Sequence, residues 1–437
     1  MLVSRRSIFA GLALASTSWS IGASCSLLQT AFAPEDFGAV GDGRTDDTLA
    51  LQRCLDAAPA GAIVRLRRGA VYRVNTNFRP TRETVGGLRL KSRQILQLNG
   101  AELRALPSSF PHGSVVQAFR TSGWRIEGPG RITGERSLHK GRGGEWGMGI
   151  SAWSAADWAI TAGVEINNCW GDGIYVGRAP AGGPCSDFAI DHVHIWNCRR
   201  NGISIVGGRN GRITAPNIHQ INGTAPFGGI DLEPDRPLDP NQNILISGGK
   251  IRDVGVGVYV TVANQNVRVT GMDIEASNSG VLIGDNADDV TIEGNPSIRS
   301  LEGGTEGAAI RSVGNASTIR NIRIRNNGLS GGGYFVLDFF GGKYRNLVVS
   351  GNTLHANNPR VQGIARLSSA TFTQNQGTIG PKSGTAGEFF VLFQDVAYGG
   401  NVYRNNSSFR MYAAIRQGRD LGGERLESKS FFKIVDK

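Results

Sequence analysis

The sequence has little of what marks several common classes of protein. Its five cysteines are Cys25, Cys54, Cys169, Cys185 and Cys198, and no two have the CxxC spacing typical of a cysteine-ligated metal site. No apolar run beyond Ala33 is long enough to cross a bilayer. The basic residues are scattered and not gathered in one run or helix, so we do not expect nucleic acid as a partner.

Glycine, by contrast, is abundant, with 62 residues in a chain of 437. Without a collagen period, and with many Val, Ile, Asn and Thr residues, this composition predicts many short strands and tight turns. The formal net charge is +11, and the segment 1–33 carries two Arg and no acid, which leaves 11 − 2 = +9 for the rest. A basic surface suits an acidic polymer such as a uronic-acid polysaccharide, although solubility alone also explains it.

Residues 1–33 are interpreted as a targeting segment. Arg5 and Arg6 precede a mild apolar run, which resembles a twin-arginine export signal, with an ordinary secretory signal as the alternative. The small residues around Ala33 fit a cleavage site. We therefore expect an exported protein, periplasmic or extracellular, whose signal is removed.

A short helix is predicted next, within the stretch Glu35–Ala58. Thr45 is a good N-cap, and Asp46 and Asp47 favour the positive end of a helix. The apolar stripe is formed by Leu49, Ala50, Leu51, Cys54 and Leu55. Such a helix would cap the open end of the repeats that follow.

The remainder is a ladder of similar segments, each centred on a buried aliphatic anchor, at intervals of roughly 23 to 29 residues. The anchors are Ile150, Ile174, Ile203, Ile230, Val258, Val281, Ile310 and Ile364, with Phe335 and Phe390 fitting more weakly. Further strands between the anchors, with Gly and Asn at the corners, predict an all-β parallel β-helix. Asn168 and Asn197 suggest an asparagine ladder at one corner. Cys169 and Cys198 are expected to stack as a buried pair or a disulfide.

The N-terminal stretch DFGAVGDGRTDD resembles the signature of the pectate-lyase and rhamnogalacturonase-like right-handed parallel β-helix proteins. The resemblance is confined to the stretch Glu35–Ala58 and implies a right-handed, single-stranded pectin-lyase-like solenoid. It implies no single activity, because that superfamily includes hydrolases, lyases, epimerases and phage tailspikes. The chain lacks the GHG and RIK motifs of polygalacturonases and the DPHE motif of alginate epimerases, so no catalytic residue is carried over. Asp42, Asp46 and Asp47 are expected to serve the turn and the cap.

The predicted organisation is thus a signal at 1–33 and one β-helix domain at 34–437. Within that domain, 34–60 would form the N-terminal cap. The repeat is lost after about Ser407, so about 408–437 would cap the far end.

Aligning the anchors predicts which residues share an outward face. The outward positions directly after seven anchors are Ser151, Tyr175, Ser204, Asp231, Tyr259, Leu282 and Arg311. Two residues further on, Trp153 and Glu233 also point outward. Asp231 and Glu233 therefore lie side by side in mid-sheet, among aromatic rings that suit sugars. An ordinary solvated face is the alternative.

Long insertions gather beside the same face, at 133–148, 178–186, 224–228 and 234–243. These loops carry Glu145, His139, Lys140, Arg142, Arg178 and Arg236, which could wall a cleft over Asp231.

The pattern favours a glycoside hydrolase in which Asp231, Glu233 and Asp172 supply the carboxyl groups, with Asp235 and Glu145 as further candidates. Substrate-binding candidates are Trp153, Tyr175, Ser204, Tyr259, Glu145, Lys140, Arg142, Arg236 and Arg311. The alternative is a polysaccharide lyase or epimerase that uses the basic residues and His139. A third interpretation is a non-catalytic carbohydrate-binding β-helix.

No cofactor is predicted. Asp285, Asp288 and Asp289 could bind calcium or simply form a polar turn. His192 and His194 share a face and are interpreted as structural. The pattern does not give the oligomeric state, the sugar or the linkage.

Overall fold

The computed structural model describes residues 31–79, 86–236, 238–301, 307–314, 317–331, 334–356, 363–380, 389–405, 412–428 and 433–436. The predicted signal at 1–33, with Cys25, lies almost wholly outside these ranges. Within them, no helix combines the length and apolarity needed to cross a membrane.

The chain winds as a parallel β-helix with three sheet faces, and each coil pairs with the next. The strands of the first face are Gly86–Leu90, Gly113–Phe119, Met148–Trp153, Ile174–Gly177, Asn201–Ile205, Gly228–Leu232, Val256–Val260, Ser279–Ile283, Ala308–Ser312, Phe335–Phe339, Tyr412–Arg416 and Lys433–Asp436. Gly363–Thr373 and Phe389–Gly399 each run from the first face into the second.

The other strands of the second face are Ala31–Phe32, Ile63–Arg65, Ile95–Gln97, Arg125–Glu127, Ala156–Ile160, Cys185–Asp191, Gly208–Thr214, Gln242–Ser247, Gln265–Thr270, Asp288–Glu293, Thr318–Arg325, Lys343–Ser350 and Arg419–Asp420. Those of the third face are Asp42–Asp46, Val71–Val74, Glu102–Ala105, Gly130–Thr133, Val164–Asn167, His194–Trp196, Asn217–His219, Lys250–Arg252, Asp273–Ala276, Ser297–Ser300, Gly328–Gly331, Thr353–Ala356, Gln376–Ile379, Val402–Asn405 and Arg425–Ser428. The helices among the described residues are one α-helix, Thr48–Ala57, and two 3₁₀ turns, Pro34–Phe37 and Arg136–Leu138.

The predicted register of the first face is confirmed over seven coils. Ile150, Ile174 and Ile203 pair in sequence, and the pairing continues through Ile230 to Ile310. These side chains are buried in one continuous core along the solenoid. Burial of stacked Ile and Val side chains is what makes each coil depend on its neighbours.

A glycine directly before each of several anchors lets the coils approach closely. A Cβ on Gly229 would lie 2.5 Å from Ile251 Cγ2 and 2.7 Å from the carbonyl oxygen of Gly257. A Cβ on Gly202 would lie 2.6 Å from the carbonyl oxygen of Gly229. The repeated Gly-Ile and Gly-Val pairs therefore reflect a steric limit at the corner between the third and first faces.

The predicted capping helix is present, but two of its details are wrong. The N-cap is Asp47, whose carboxylate accepts hydrogen bonds from the backbone of Val40 and Gly41, while Thr45 lies in the preceding strand. Leu49 is 59% exposed, so it does not belong to the apolar stripe. The helix packs on the first coils, and the Gln52 amide pairs with the backbone of Arg89.

A buried asparagine ladder runs along the corner between the second and third faces. It consists of Asn295, Asn327, Asn352, Asn375 and Asn401 and ends on Glu424. Each amide donates to the next one and to a backbone carbonyl, so the buried polar groups are satisfied.

The predicted pair Asn168–Asn197 is a second, smaller ladder, with a 3.3 Å bond from Asn197 Nδ2 to Asn168 Oδ1. Cys169 and Cys198, the next residues along the chain, are both buried free thiols. The structure therefore has a buried pair of thiols at this corner and no disulfide between Cys169 and Cys198.

Two expectations for the C-terminal part are wrong. Ile310 pairs with Leu337, which pairs with Ala365 and then Val391, so Phe335, Ile364 and Phe390 are out of register by one or two residues. The repeat also continues beyond Ser407, because the strands Tyr412–Arg416 and Lys433–Asp436 add further rungs to the first face.

Loops line both edges of the first face. The segment 134–147 enters the face from one edge, and the segments 178–184, 233–236 and 238–241 lie at the other. The strand Gly228–Leu232, which carries Asp231, lies between these edges. We refer to the surface of the first face between the two sets of loops as the groove.

Candidate functional site

The candidate site is centred on Asp231, in the first-face strand Gly228–Leu232. Asp231 pairs with Ser204 on one neighbouring coil and with Tyr259 on the other, as the anchor alignment predicts. Its residue surface is only 1% exposed, although it points away from the β-helix core. A carboxyl group so deeply buried needs partners or a proton.

Asn201 supplies one of those partners. Its Nδ2 lies 3.1 Å from Asp231 Oδ2 and 2.9 Å from Ser204 Oγ, and its Oδ1 accepts a 2.8 Å bond from the backbone of Gly228. Within the part of the chain that the structure describes, the other oxygen, Asp231 Oδ1, has no hydrogen-bond partner. A buried carboxyl oxygen without such a partner favours the protonated form of Asp231.

Arg200 is the cation at the centre of the site. Its guanidinium lies 3.5 Å from Asp172 Oδ2, 3.4 Å from Glu233 Oε2 and 3.4 Å from Glu145 Oε2. The side chain is 16% exposed, and Glu233 is 49% exposed. Arg200 thus joins a buried carboxyl group to two carboxylates that face the groove.

Asp172 occupies the coil before Arg200. Its Oδ1 accepts a 3.1 Å bond from the backbone N–H of Asn201. Burial raises the pKa of Asp172 to about 6, although Arg200 and hydrogen bonds from Ser204 and Asn201 oppose the rise. At neutral pH this group is therefore largely ionised and holds Arg200 and Asn201 in place.

Asp231 titrates in a different range. Burial is the main cause that raises the pKa of Asp231 to about 8, and the charges of Glu233 and Asp172 add to the rise, while Arg200 and Asn201 oppose it. At neutral pH, Asp231 is therefore mostly protonated.

Aromatic rings pack beside the carboxyl cluster, but the predicted sugar platform is covered. Trp153 and Tyr175 are buried, with ring centroids 4.6 Å apart. Trp146 lies over both, at 6.4 and 6.1 Å, and is itself 40% exposed. Of these three rings, that of Trp146, next in the chain to Glu145, is the exposed one.

The other predicted residues are spread more widely. Ser204 is buried beside Asn201, and Tyr259 is partly buried, with its pKa raised by burial and then by Asp231 and Glu233. Arg311 lies three coils beyond Asp231 and donates to Ser279 Oγ. Lys140, Arg142, Asp235 and Arg236 are exposed on the flanking loops.

The loop that carries Glu145 and Trp146 is held by a buried pair and a stack. His139 Nδ1 lies 2.9 Å from Glu135 Oε1, and the His139 ring stacks on Trp170 at 3.9 Å. The Arg199 guanidinium covers the Trp170 ring at 3.9 Å and donates to the Gly144 carbonyl. His139 therefore fixes the loop and does not face the groove with a free ring.

Two further sets of residues singled out in the sequence, the aspartates at 285–289 and the histidines on the third face, include members that contact other side chains of this protein. Asp288 accepts from Asn321, and Asp289 pairs with Arg323 at 2.5 Å. His194 Nε2 lies 2.9 Å from His219 Nε2 on the third face, far around the coil from Asp231. Neither set belongs to the carboxyl cluster.

Sequence reasoning missed Arg200, Asn201 and Trp146. The position two residues before each anchor holds Asp172, Asn201 and Gly228 in successive coils, so the alignment already contained Asn201. Arg200 precedes it directly. Trp146 lies in a long loop, where no periodicity gives its place.

Comparison with known proteins agrees with this architecture. A family model described as "Right handed beta helix region" matches residues 181–328. The curated protein YclG of Bacillus subtilis (strain 168), which is described as uncharacterized, is 28% identical over 225 residues. That match spans 45% of this chain and 37% of YclG, so the chain covers well under half of this relative.

Solved structures show the same fold at low identity. The A-module of the Azotobacter vinelandii mannuronan C-5 epimerase AlgE6 aligns with a TM-score of 0.52 and 14% identity over 93% of this chain and 99% of the module. A double mutant of the E. coli bacteriophage HK620 tailspike protein, in complex with a pentasaccharide, aligns with a TM-score of 0.58 and 14% identity over 93% of this chain and 78% of the tailspike chain. The chain is therefore a right-handed parallel β-helix. This is the fold that the N-terminal signature predicts.

Proposed function

We propose that this protein is a polysaccharide-active enzyme, and specifically a glycoside hydrolase whose centre is the carboxyl cluster of Asp231, Glu233 and Asp172. The observation that carries the proposal is Asp231: a buried, mostly protonated carboxyl group, two residues from an exposed carboxylate, with one oxygen that no described residue hydrogen-bonds. Glycoside hydrolysis needs this combination of an acid and a carboxylate.

Asp231 acts as the general acid. It gives its proton to the glycosidic oxygen while the bond from that oxygen to the anomeric carbon breaks. The Glu233 carboxylate either takes a proton from the water that attacks the anomeric carbon or attacks that carbon itself. The two Cα atoms are about 6.6 Å apart along an extended strand, which leaves both stereochemical outcomes open.

Asp172, Arg200 and Asn201 act as positioning residues. The Asp172 carboxylate fixes Arg200 and the Asn201 backbone, and the Asn201 amide orients Asp231. Because Asp231 is buried, we expect the 3.4 Å contact between Arg200 and Glu145 to open when a sugar enters.

The comparisons support a polysaccharide ligand and not a particular reaction. One neighbour is named for mannuronan and another was solved with a pentasaccharide. On this chain, the exposed ring of Trp146 beside Glu145 offers a stacking surface for a sugar.

The lyase and epimerase alternative needs a cation free to neutralise a uronate carboxylate. Arg200 is surrounded by three carboxylates, and Lys140, Arg142 and Arg236 lie on exposed loops. These contacts favour hydrolysis. We also propose export, on the basis of the twin-arginine-like segment at 1–33.

The test is a screen of the purified mature protein on a polysaccharide panel, read for new reducing ends and for ultraviolet absorbance together. Reducing ends without absorbance are expected. Absorbance that rises with the reducing ends would indicate an unsaturated product, and hence a lyase. Binding without any product would indicate a non-catalytic binding protein.

A further inference from the structure

The charges on the groove floor are arranged against an acidic sugar. Four carboxyl groups, those of Asp172, Asp231, Glu233 and Glu145, surround the guanidinium of Arg200. Even with Asp231 protonated, three carboxylates face this guanidinium. The local charge is therefore negative, although the whole chain carries a net charge of +11.

Other guanidiniums beside the floor are engaged elsewhere. Arg178 is buried and pairs with Asp239 at 2.5 Å across the loops at one edge. Arg199 lies on Trp170 and donates to the carbonyl of Gly144 at the other edge. Both hold the loops, so neither offers its charge to a ligand above Asp231.

A uronate ring would place its own carboxylate among these groups. A like charge close by disfavours the ionised form of both groups, and the effect is strong where water is excluded. Specificity by repulsion is a common device at binding sites. An uncharged ring meets no such opposition and can lay an apolar face on Trp146.

We propose, building on the function above, that the subsite over Asp231 takes an uncharged sugar ring and rejects a uronate. Lys140, Arg142 and Arg236, the basic candidates for binding an acidic polymer, lie on the loops, whereas the carboxyl groups of Asp231 and Glu233 would contact the reacting sugar. The net positive charge of the chain therefore does not predict the negative local charge around Arg200.

The test is glycan-array binding of the full mature chain, with uncharged glycans and uronate-containing glycans on the same array. The wild type is expected to bind uncharged glycans. A Glu145→Gln/Glu233→Gln double variant is expected to gain about 10-fold or more in binding to uronates, because two like charges are removed from the floor. The matched control is Glu165→Gln/Glu275→Gln, which removes the same charge from the third face and should leave the pattern unchanged.

Preferred binding of uronates by the wild type would overturn the proposal, as would absence of binding to every uncharged glycan. A double variant that gains no uronate binding would also contradict it. Binding of an uncharged glycan without cleavage would keep this inference and refute the hydrolase function. Cleavage of a polyuronate to saturated products would do the reverse.

Discussion

Two rows of buried polar side chains run along this solenoid, and they differ in one respect. In the corner ladder from Asn295 to Asn401, every amide donates to its neighbour and to a backbone carbonyl. In the first-face cluster, Asn201 donates to Ser204 and Asp231 and accepts from the backbone of Gly228, but Asp231 keeps an oxygen that no residue in the described ranges hydrogen-bonds.

Under the proposed function, this difference distinguishes a network that stabilises the fold from one that serves catalysis. A satisfied buried network rigidifies its surroundings, whereas an unsatisfied carboxyl group is costly and shifts its pKa. Glu424, which ends the ladder, illustrates the intermediate case: burial raises its pKa, but hydrogen bonds from Asn401 and Tyr403 oppose the rise. At Asp231, burial of a carboxyl group with one unbonded oxygen lowers the stability of the fold.

The largest effect on stability is expected from breaking the ladder. Asn352→Ala removes bonds to Ile324 O and Asn375 Oδ1 and strands the donors of Asn327. We expect a loss of about 3–5 kcal/mol in the free energy of unfolding, because several buried groups lose partners at once. Denaturant unfolding would measure it.

The matched control for the ladder is Gln242→Ala, which removes an exposed amide pair with Gln265. It should cost about 0.5 kcal/mol or less. Equal losses in the two variants would contradict the importance of burial for the ladder.

Whereas Asn352→Ala should destabilise the protein, replacement of Asp231 by Asn is expected to stabilise it. The folded pKa of Asp231, about 8, lies above the unfolded value of about 3.9, so its contribution to stability is fully present below pH 4 and is lost as pH rises to 8. Asp231→Asn cannot ionise and should exceed the wild type by about 2–4 kcal/mol near pH 8, with little difference near pH 4. Thermal unfolding across this range would reveal the trend, and a variant that is less stable at pH 8 would refute it.

A smaller effect is expected from Arg200, whose charge opposes the rise in the pKa of Asp231. If protonated Asp231 is the general acid, kcat/KM falls on the alkaline side near pH 8 in the wild type. Arg200→Met should move that fall to higher pH by about 0.5–1 unit. Arg199→Met, a neighbour whose charge is held on Trp170, should not move it.

Much of the fold could be predicted because a solenoid repeats its steric constraints. The Gly-Ile and Gly-Val pairs mark the register of the first face from Ile150 to Val281. The prediction failed at Ile364 because Gly363 and Ile364 repeat the Gly-Ile pattern, although Ala365 is the residue that pairs with Leu337. Before the N-terminal helix, Thr45, Asp46 and Asp47 are all suitable N-cap residues. The sequence alone therefore did not show that Asp47 is the N-cap.

The site was predictable where it follows the repeat and not where it follows the loops. Asp231 directly follows its anchor Ile230, so the alignment alone places it on the outward row between Ser204 and Tyr259. Trp146 and Glu145 reach the groove through a loop tied down by Glu135 and His139, and such long-range contacts leave no period in the sequence.

The measurement that tests the account most directly is the turnover of Asp231→Asn beside Asp338→Asn. Asp338 occupies the same outward row four coils away, about 19 Å along the axis, and pairs with Arg366. On a polysaccharide that the wild type cleaves, Asp231→Asn should lose about 10²- to 10⁴-fold in kcat at pH 7, while Asp338→Asn stays within about twofold of the wild type. Equal turnover by the two variants would contradict the assignment of the active site to Asp231.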